Sequence, residues 1–184
     1  ITPSRDLIAA YDAEGDTERK NACIVYDEAI WSNYYPGDAY AFMHKVPTNA
    51  SSIILMRLGE IYLLHAEALA MTGDLAGATE YVNKVRTRAG IKTISVPSSQ
   101  EAMIDAILKE RRLELAMENG RYFDLRRWGI ASKTLNAFFK SEMGVEYEGQ
   151  AYAQYYSDAY YTPGKNEFYP IPYNQLHYVP GLYT

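Results

Sequence analysis

A chain of 184 residues is long enough for one good-sized core, and 48% hydrophobic with 22% charged residues is ordinary globular composition. A formal net charge of −5 argues against general nucleic-acid binding. No apolar run approaches the roughly 18 residues that a membrane-spanning helix needs, because Arg57 interrupts the run that begins at Ile53. The chain opens at Ile1, without an initiator methionine or a leader, and reads as a fragment or a processed chain. Its one cysteine, Cys23, excludes an internal disulfide. Lys20 and Asn21 precede Cys23 with no apolar run before them, so lipid attachment there is unsupported and a buried structural thiol is expected.

In chain order, residues 3–14 (PSRDLIAAYDAE) predict a short helix, with Leu7, Ile8 and Tyr11 on one side. Residues 15–52 show no helical period and predict a long loop region, with short strands near ACIVY. Residues 53–72 (IILMRLGEIYLLHAEALAMT) predict a helix that is apolar almost all round, hence buried. On it Arg57, Glu60 and Glu67 fall within about 80° of one another at ~100° per residue. His65, in the same helix, is expected to be a bonded core histidine. Gly73 then suits a left-handed helix end and Asp74 an N-cap. The next helix spans about 75–89, on the stripe Leu75, Ala78, Val82, Val85 and Ala89, and Gly90 closes it.

Ser98 with Glu101 fits a capping box, so a third helix starts near Ser99 and runs through Glu118 to the break at Asn119–Gly120. A fourth stretch, RYFDLRRWGIASKTLNAFF, is expected to kink at Gly129. The fold class that follows is all-α: tetratricopeptide-like helical hairpins with long, irregular, aromatic-rich loops. Ala66 takes the small position of the first hairpin and Tyr62 the large aromatic one. Residues 1–184 are expected to form a single domain, with 53–140 as hairpin core and 141–184 as a loop-rich tail packed on it.

The segment ERRLELAMENGRYFDLRRWG, residues 110–129, carries five arginines against three glutamates and one aspartate, a net of only +1. On a helix Ile104, Ile107, Leu108 and Leu115 share a stripe that also holds Arg111 and Glu118, while Met103, Ala106, Leu113 and Met117 make a second apolar surface. Charges on a core stripe must be paired, since a lone buried ion costs several kcal/mol or more. An internal ion-pair network of Arg57, Glu60, Glu67, Arg111, Glu114, Glu118 and Asp124 is therefore expected, fixing the register of the helices. A nucleic-acid patch is a weaker reading because the net charge is only +1, and so is a catalytic Glu114–Glu118 pair, because no nucleophile or open cleft accompanies it.

Three blocks, RLGEIYLLHAEALAMTGDLAGATEYVNKVRTRAGI, ILKERRLELAMENGRYFDLRRWG and FYPIP, resemble in sequence and order the C-terminal part of SusD/RagB proteins across residues 57–172. SRDLIAAYDAEGDTERK also resembles the family's segment with an acidic residue shortly before an arginine. The ending HYVPGLYT departs from the family's usual close. The resemblance implies a helical scaffold with tetratricopeptide-like repeats in an outer-membrane lipoprotein that faces outside the cell. It implies capture of an oligosaccharide or other nutrient and partnership with a SusC-like TonB-dependent transporter. It implies no enzyme activity; no cofactor is expected, and the net charge speaks against a nucleic-acid partner. Membrane attachment would be only through a lipid anchor outside this chain, in a longer N-terminal part that also holds the signal peptide.

Sugar binding sets aromatic faces against the apolar faces of sugar rings, with polar groups at the rim. Of the 18 tyrosines, ten lie in the last 38 residues. Two loop regions offer such faces. In WSNYYPGDAYAF the candidate ligand-binding residues are Trp31, Asn33, Tyr34, Tyr35, Asp38 and Tyr40. The second region, EYEGQAYAQYYSDAYY, holds Tyr147, Tyr152, Tyr155, Tyr156, Tyr160 and Tyr161. The resemblance favours the first, as a region rather than residue by residue. The bland alternative is that both clusters pack loops onto helices. His44, His65 and His177 show no metal spacing, so no metal is expected. Three functions stay in play: a cell-surface glycan- or nutrient-binding protein serving a transporter; a tetratricopeptide-like adaptor for proteins or peptides; and a carbohydrate-active enzyme using acids such as Glu146, Glu148 or Asp158.

Overall fold

The computed structural model describes residues 3–27, 40–45, 54–118, 120–142, 146–147, 150–151, 159–169, 171–178 and 181. They divide into two compact units, Ile1–Arg121 and Tyr122–Thr184. The boundary falls inside the span expected to be one hairpin core.

The first unit opens with α1 (Arg5–Glu14), capped by Ser4, whose hydroxyl accepts from the Leu7 amide at 3.2 Å. Gly15 ends it in the left-handed conformation, φ 65°. A second helix, α2 (Thr17–Cys23), follows at once, where the sequence predicted only loop. It escapes a periodicity test because it is seven residues long and its buried residues are Arg19 and Cys23 rather than an apolar stripe. Then β1 (Ile24–Asp27) pairs antiparallel with β2 (Tyr40–Met43), Asp27 opposite Tyr40 and Ile24 opposite Met43.

Helix α3 (Leu58–Met71) starts later than the apolar run suggests, because residues 54–57 stay outside it and Arg57 is fully extended, φ −149° and ψ 164°. Gly73, φ 90°, and the Asp74 carboxylate, which accepts from the Gly77 amide at 2.9 Å, turn the chain into α4 (Leu75–Arg88), as the turn residues predicted. The connector after α4 is pinned by Asn83, which exchanges two hydrogen bonds with the Ile94 backbone at 2.8 and 2.9 Å. Helix α5 (Gln100–Glu114) is capped by Ser99, one residue beyond the expected Ser98.

The third helix was expected to reach Glu118, but α5 ends at Glu114 and Met117 adopts a left-handed backbone, φ 65°. The cause is tertiary. The Lys45 ammonium donates to the carbonyls of Glu114 and Ala116 at 2.9 and 3.3 Å, and Arg57 donates to the Glu114 carbonyl at 2.5 Å. Cations from elsewhere in the chain thus satisfy the carbonyls that a helix end leaves unpaired.

Two apolar clusters fill this unit. One joins Leu63, Ala66 and Ala70 of α3 to Ala78, Val82 and Val85 of α4 and to Met103 and Ile107 of α5. Ala66 is fully buried and the Tyr62 and Tyr81 rings meet at 5.6 Å, the small and large positions expected of a tetratricopeptide-like hairpin. The other gathers Tyr11, Cys23, Ile24, Tyr40, Ala41, Leu113 and Ala116. Cys23 is a buried free thiol, as expected. The α3 helix is not buried all round: Leu58, Ile61, Leu64 and Met71 are exposed, and so is His65, whose ring meets Tyr81 edge-on at 4.4 Å instead of entering the core.

The second unit contains α6 (Arg121–Arg127) through its last residues, then α7 (Ala131–Glu142), two short paired strands β3 (Glu146–Tyr147) and β4 (Gln150–Ala151), and α8 (Tyr173–Tyr178). Gly129, φ 68°, breaks the expected fourth helix into two rather than kinking one. The unit's core is Leu125, Ala131 and Tyr161, with Tyr122, Ile130 and Leu135 packed on it. Among the described residues no helix is long and apolar enough to cross a membrane.

Candidate functional site

Between the two apolar clusters of the first unit, α5 turns acidic side chains inward. Glu110 and Glu114, one turn apart, have fully or almost fully buried side chains. Glu110 accepts from Arg19 at 2.6 Å with one oxygen and from Arg86 at 2.8 Å with the other. Glu114 accepts from Arg19 at 3.0 Å, from Arg88 at 2.6 Å and from Arg57. Arg57 also grips Glu118 with two nitrogens, at 2.8 and 2.7 Å, and Lys45 pairs with the same carboxylate. Asp16 caps α2 and holds Arg19 at 2.5 Å, while Glu14 accepts from Arg86 at 2.7 Å and from Lys109. One lattice therefore ties α1, α2, Lys45 beyond β2, the start of α3, α4 and α5 together.

The electrostatics follow from this crowding. Burial alone would raise the Glu114 carboxyl, but the guanidiniums of Arg57, Arg88 and Arg19 outweigh it and hold the group below the ordinary carboxylate value. Glu118 behaves alike, with burial opposed by Arg57 and Lys45, and so does Glu14, with burial opposed by Lys109 and Arg86. Against a burial effect of opposite sign, Glu118 and Glu114 raise Arg57, Glu110 and Asp16 raise Arg19, and Glu14 and Glu110 raise Arg86. Carboxylates locked in the charged form, and in the case of Glu114 closed off from solvent, are poorly placed for proton transfer to a substrate. Glu114 and Glu118 are held together through Arg57.

Of the residues expected in an ion-pair network, Arg57, Glu114 and Glu118 meet directly. Arg111 is buried, with its guanidinium 3.8 Å from Glu60, and Glu67 lies half-buried on α3. Asp124 belongs to the second unit, where it accepts from Arg127 at 3.0 Å. Sequence reasoning missed Asp16, Arg19, Lys45, Arg86, Arg88 and Glu110. The Glu110–Glu114 spacing of one turn, and the acid shortly before Arg19, were the available signals.

The candidate ligand-binding residues Trp31, Asn33, Tyr34, Tyr35 and Asp38 lie outside the described residues. What is described is their stem. The Asp27–Tyr40 pairing sets the two residues that flank span 28–39 opposite each other. Tyr40 packs in the core cluster with its ring 4.9 Å from Phe42, so it anchors the stem and offers no open stacking face. Lys45, two residues past β2, locks into the lattice. In the second aromatic region, Tyr161 is buried and Tyr160 is exposed, whereas Tyr152, Tyr155, Tyr156, Glu148 and Asp158 lie outside the described residues, as do the side chains of Glu146 and Tyr147. Among the described residues no cluster of His, Cys, Asp and Glu could hold a metal.

Stacked helices clamped by buried arginine–glutamate pairs, beside a two-stranded antiparallel sheet, define a helical repeat scaffold. The chain belongs to the SusD family, whose model matches residues 31–184. It is 40% identical over 80 residues to SusD-like protein P25 of Formosa agariphila, covering 42% of this chain and 15% of that protein. A SusD homolog from Bacteroides thetaiotaomicron superposes with a TM-score of 0.72 at 20% identity, over 94% of this chain and 41% of that one. A laminarin-binding SusD-like protein superposes with a TM-score of 0.62 at 26% identity, over 95% of this chain and 36% of that one. The chain thus spans well under half the length of these proteins.

Proposed function

We propose that this chain is part of a cell-surface glycan-binding protein, without enzymatic activity, that delivers its ligand to a SusC-like TonB-dependent transporter in the outer membrane. Family membership and the likeness to a laminarin-binding SusD-like protein over 95% of the chain support a carbohydrate ligand. The observation that carries the site is the Asp27–Tyr40 pairing of the two residues that flank the sequence span of Trp31, Asn33, Tyr34, Tyr35 and Asp38. Tyr40 in the core and Lys45 in the ion lattice fix the chain on the C-terminal side of these residues, and a fixed support lowers the entropic cost of ordering a binding residue. The adaptor reading loses ground because Arg86 of α4 and Glu110 and Glu114 of α5 are buried in ion pairs.

The test is calorimetry of the intact protein against a panel of soluble β- and α-glucans and other plant and algal oligosaccharides, beside Trp31→Ala and Tyr35→Ala. Each substitution is expected to weaken binding at least tenfold while leaving the melting temperature in place. Unchanged affinity in both variants overturns the site, and release of reducing sugar by the pure protein overturns the non-enzyme reading. Co-purification of a TonB-dependent transporter from outer membranes tests the partner.

A further inference from the structure

Glu118 lies just beyond α5, past a turn in which its own amide donates to the Leu115 carbonyl at 3.2 Å. The turn is strained, because Met117 takes a left-handed backbone, φ 65°, in which a residue with a bulky side chain is crowded. Such strain persists only where surrounding contacts over-determine it, and it gathers at working positions. Here the contacts are those of Glu118. Its side chain is only 7% exposed. The carboxylate accepts from Nε and Nη2 of Arg57, at 2.8 and 2.7 Å, and pairs with Lys45.

These two cations come from opposite flanks of one stretch of chain. Lys45 stands two residues past β2, and Arg57 immediately precedes α3. Both also donate to the Glu114 carbonyl, at 2.9 and 2.5 Å. The end of α5 therefore holds both borders of residues 46–56 at one point. Glu118 differs in this from the other lattice carboxylates. Glu110 binds Arg19 and Arg86, Glu14 binds Arg86 and Lys109, and Glu114 divides itself among Arg57, Arg19 and Arg88. Among the described residues, Glu118 is the lattice carboxylate that pairs with Lys45 and Arg57 alone.

We propose that Glu118 is a positioning residue for ligand binding: by holding Lys45 and Arg57 it sets the place of β2 and of the segment that enters α3. The inference rests on the reading of the residues just before β2 as ligand-binding. Strand β2 is four residues long and pairs, among the described residues, with β1. A two-stranded sheet is marginal by itself, so its place depends on its anchors. Tyr40 and Ala41 anchor it in the core, and Lys45 anchors its far side to Glu118. A carboxylate gripped by two guanidinium nitrogens fixes direction as well as distance. The role is positional and not direct, since both Glu118 oxygens are taken up by Arg57 and Lys45.

The test compares Glu118→Gln with Glu110→Gln in the intact protein, well below the melting temperature of either. The first arm is hydrogen exchange without ligand. In Glu118→Gln the amides of β2 and of residues 54–58 are expected to exchange at least tenfold faster, while those of α4 keep the parent rate. Glu110→Gln, whose partners sit on α2 and α4, is expected to loosen those helices instead. Exchange that quickens evenly across β2 and α4 in Glu118→Gln marks a merely structural residue and overturns the proposal. The second arm is calorimetry with the glucan of the panel that the parent binds most tightly, laminarin included. Glu118→Gln is expected to weaken binding at least fivefold and Glu110→Gln less than twofold. Lys45→Gln should reproduce the loss, and Lys45→Arg, which keeps the cation, should bind at least threefold more tightly than Lys45→Gln. If Glu118→Gln does not fold, Lys45→Gln carries both readings. A parent that binds no glucan of the panel fails the proposed function and this inference together; a parent that binds, beside a Glu118→Gln that binds equally well, overturns this inference alone.

Discussion

A Cβ atom placed on Gly59 would stand 2.7 Å from the Glu114 carboxylate and 2.6 Å from the Arg57 guanidinium. The second residue of α3 therefore lies directly beneath the ion pair that clamps α3 to the end of α5, and only a residue without a side chain lets the pair close.

Gly59→Ala is expected to destabilise the protein by about 1–3 kcal/mol, as overpacking of a locked site does. Helix propensity acts in the opposite direction, by up to about 1 kcal/mol, so the sign of the effect separates the two. Urea unfolding reads it: a variant more stable than the parent means the ion pair relaxes without cost.

Removing the charge at the lattice's centre is the more severe change. Glu114→Gln leaves Arg57, Arg88 and Arg19 without a shared anion, and loss of one partner of a buried pair costs about 3–5 kcal/mol. Glu80→Gln, which touches only the exposed Glu80–Lys84 pair, is expected to leave the unfolding midpoint within error. Equal effects of the two would show that burial contributes nothing.

Acid should undo the lattice in a defined direction. Glu14, Glu114 and Glu118 all titrate below the ordinary value of 4.5 in the folded protein. As pH falls the unfolded chain takes up protons first, so the stability these groups provide is whole above about pH 5 and is lost as pH falls through their lowered folded values. The melting temperature is expected to hold level from neutral pH down to about 5 and to drop below it. Glu114→Gln should start lower and fall less steeply. A midpoint that climbs on acidification contradicts the assignment.

Tyr11, fully buried, donates to the Leu113 carbonyl at 2.8 Å across 102 residues of sequence. Burial and the neighbouring Cys23 keep its hydroxyl protonated far above the usual tyrosine range. Tyr11→Phe strands the carbonyl at a cost of about 1–3 kcal/mol. Hydrogen exchange should show α1 loosening before α4. Unchanged protection of α1 would mean that packing alone holds it.

Much of the helical frame is legible from residues a few positions apart. Gly73 and Asp74 announce their turn, and Ala78, Val82 and Val85 mark the buried side of α4, because backbone conformation and side-chain period are local properties. The burial of Arg111 and its need for an anion also follow from its place among apolar residues. The resemblance to SusD/RagB proteins rests on these same blocks and on the charged run at 110–129.

Partners across the chain are another matter. Arg19 meets Glu110 at a separation of 91 residues and Arg57 meets Glu114 at 57. No spacing rule links such positions; the packing of α2, α3 and α5 chooses the pairs. For the same reason α5 stops where Lys45 and Arg57 reach its carbonyls, although its sequence pattern runs on to Glu118. Tyr40 looks like its neighbours Tyr34 and Tyr35 in composition, yet strand pairing with Asp27 turns it into the core. The sequence by itself determined that helical hairpins form and that buried charges need partners. Only the tertiary structure decided which charges pair, that Tyr40 packs in the core, and which side of α3 is exposed, because each depends on contacts between residues far apart in the chain.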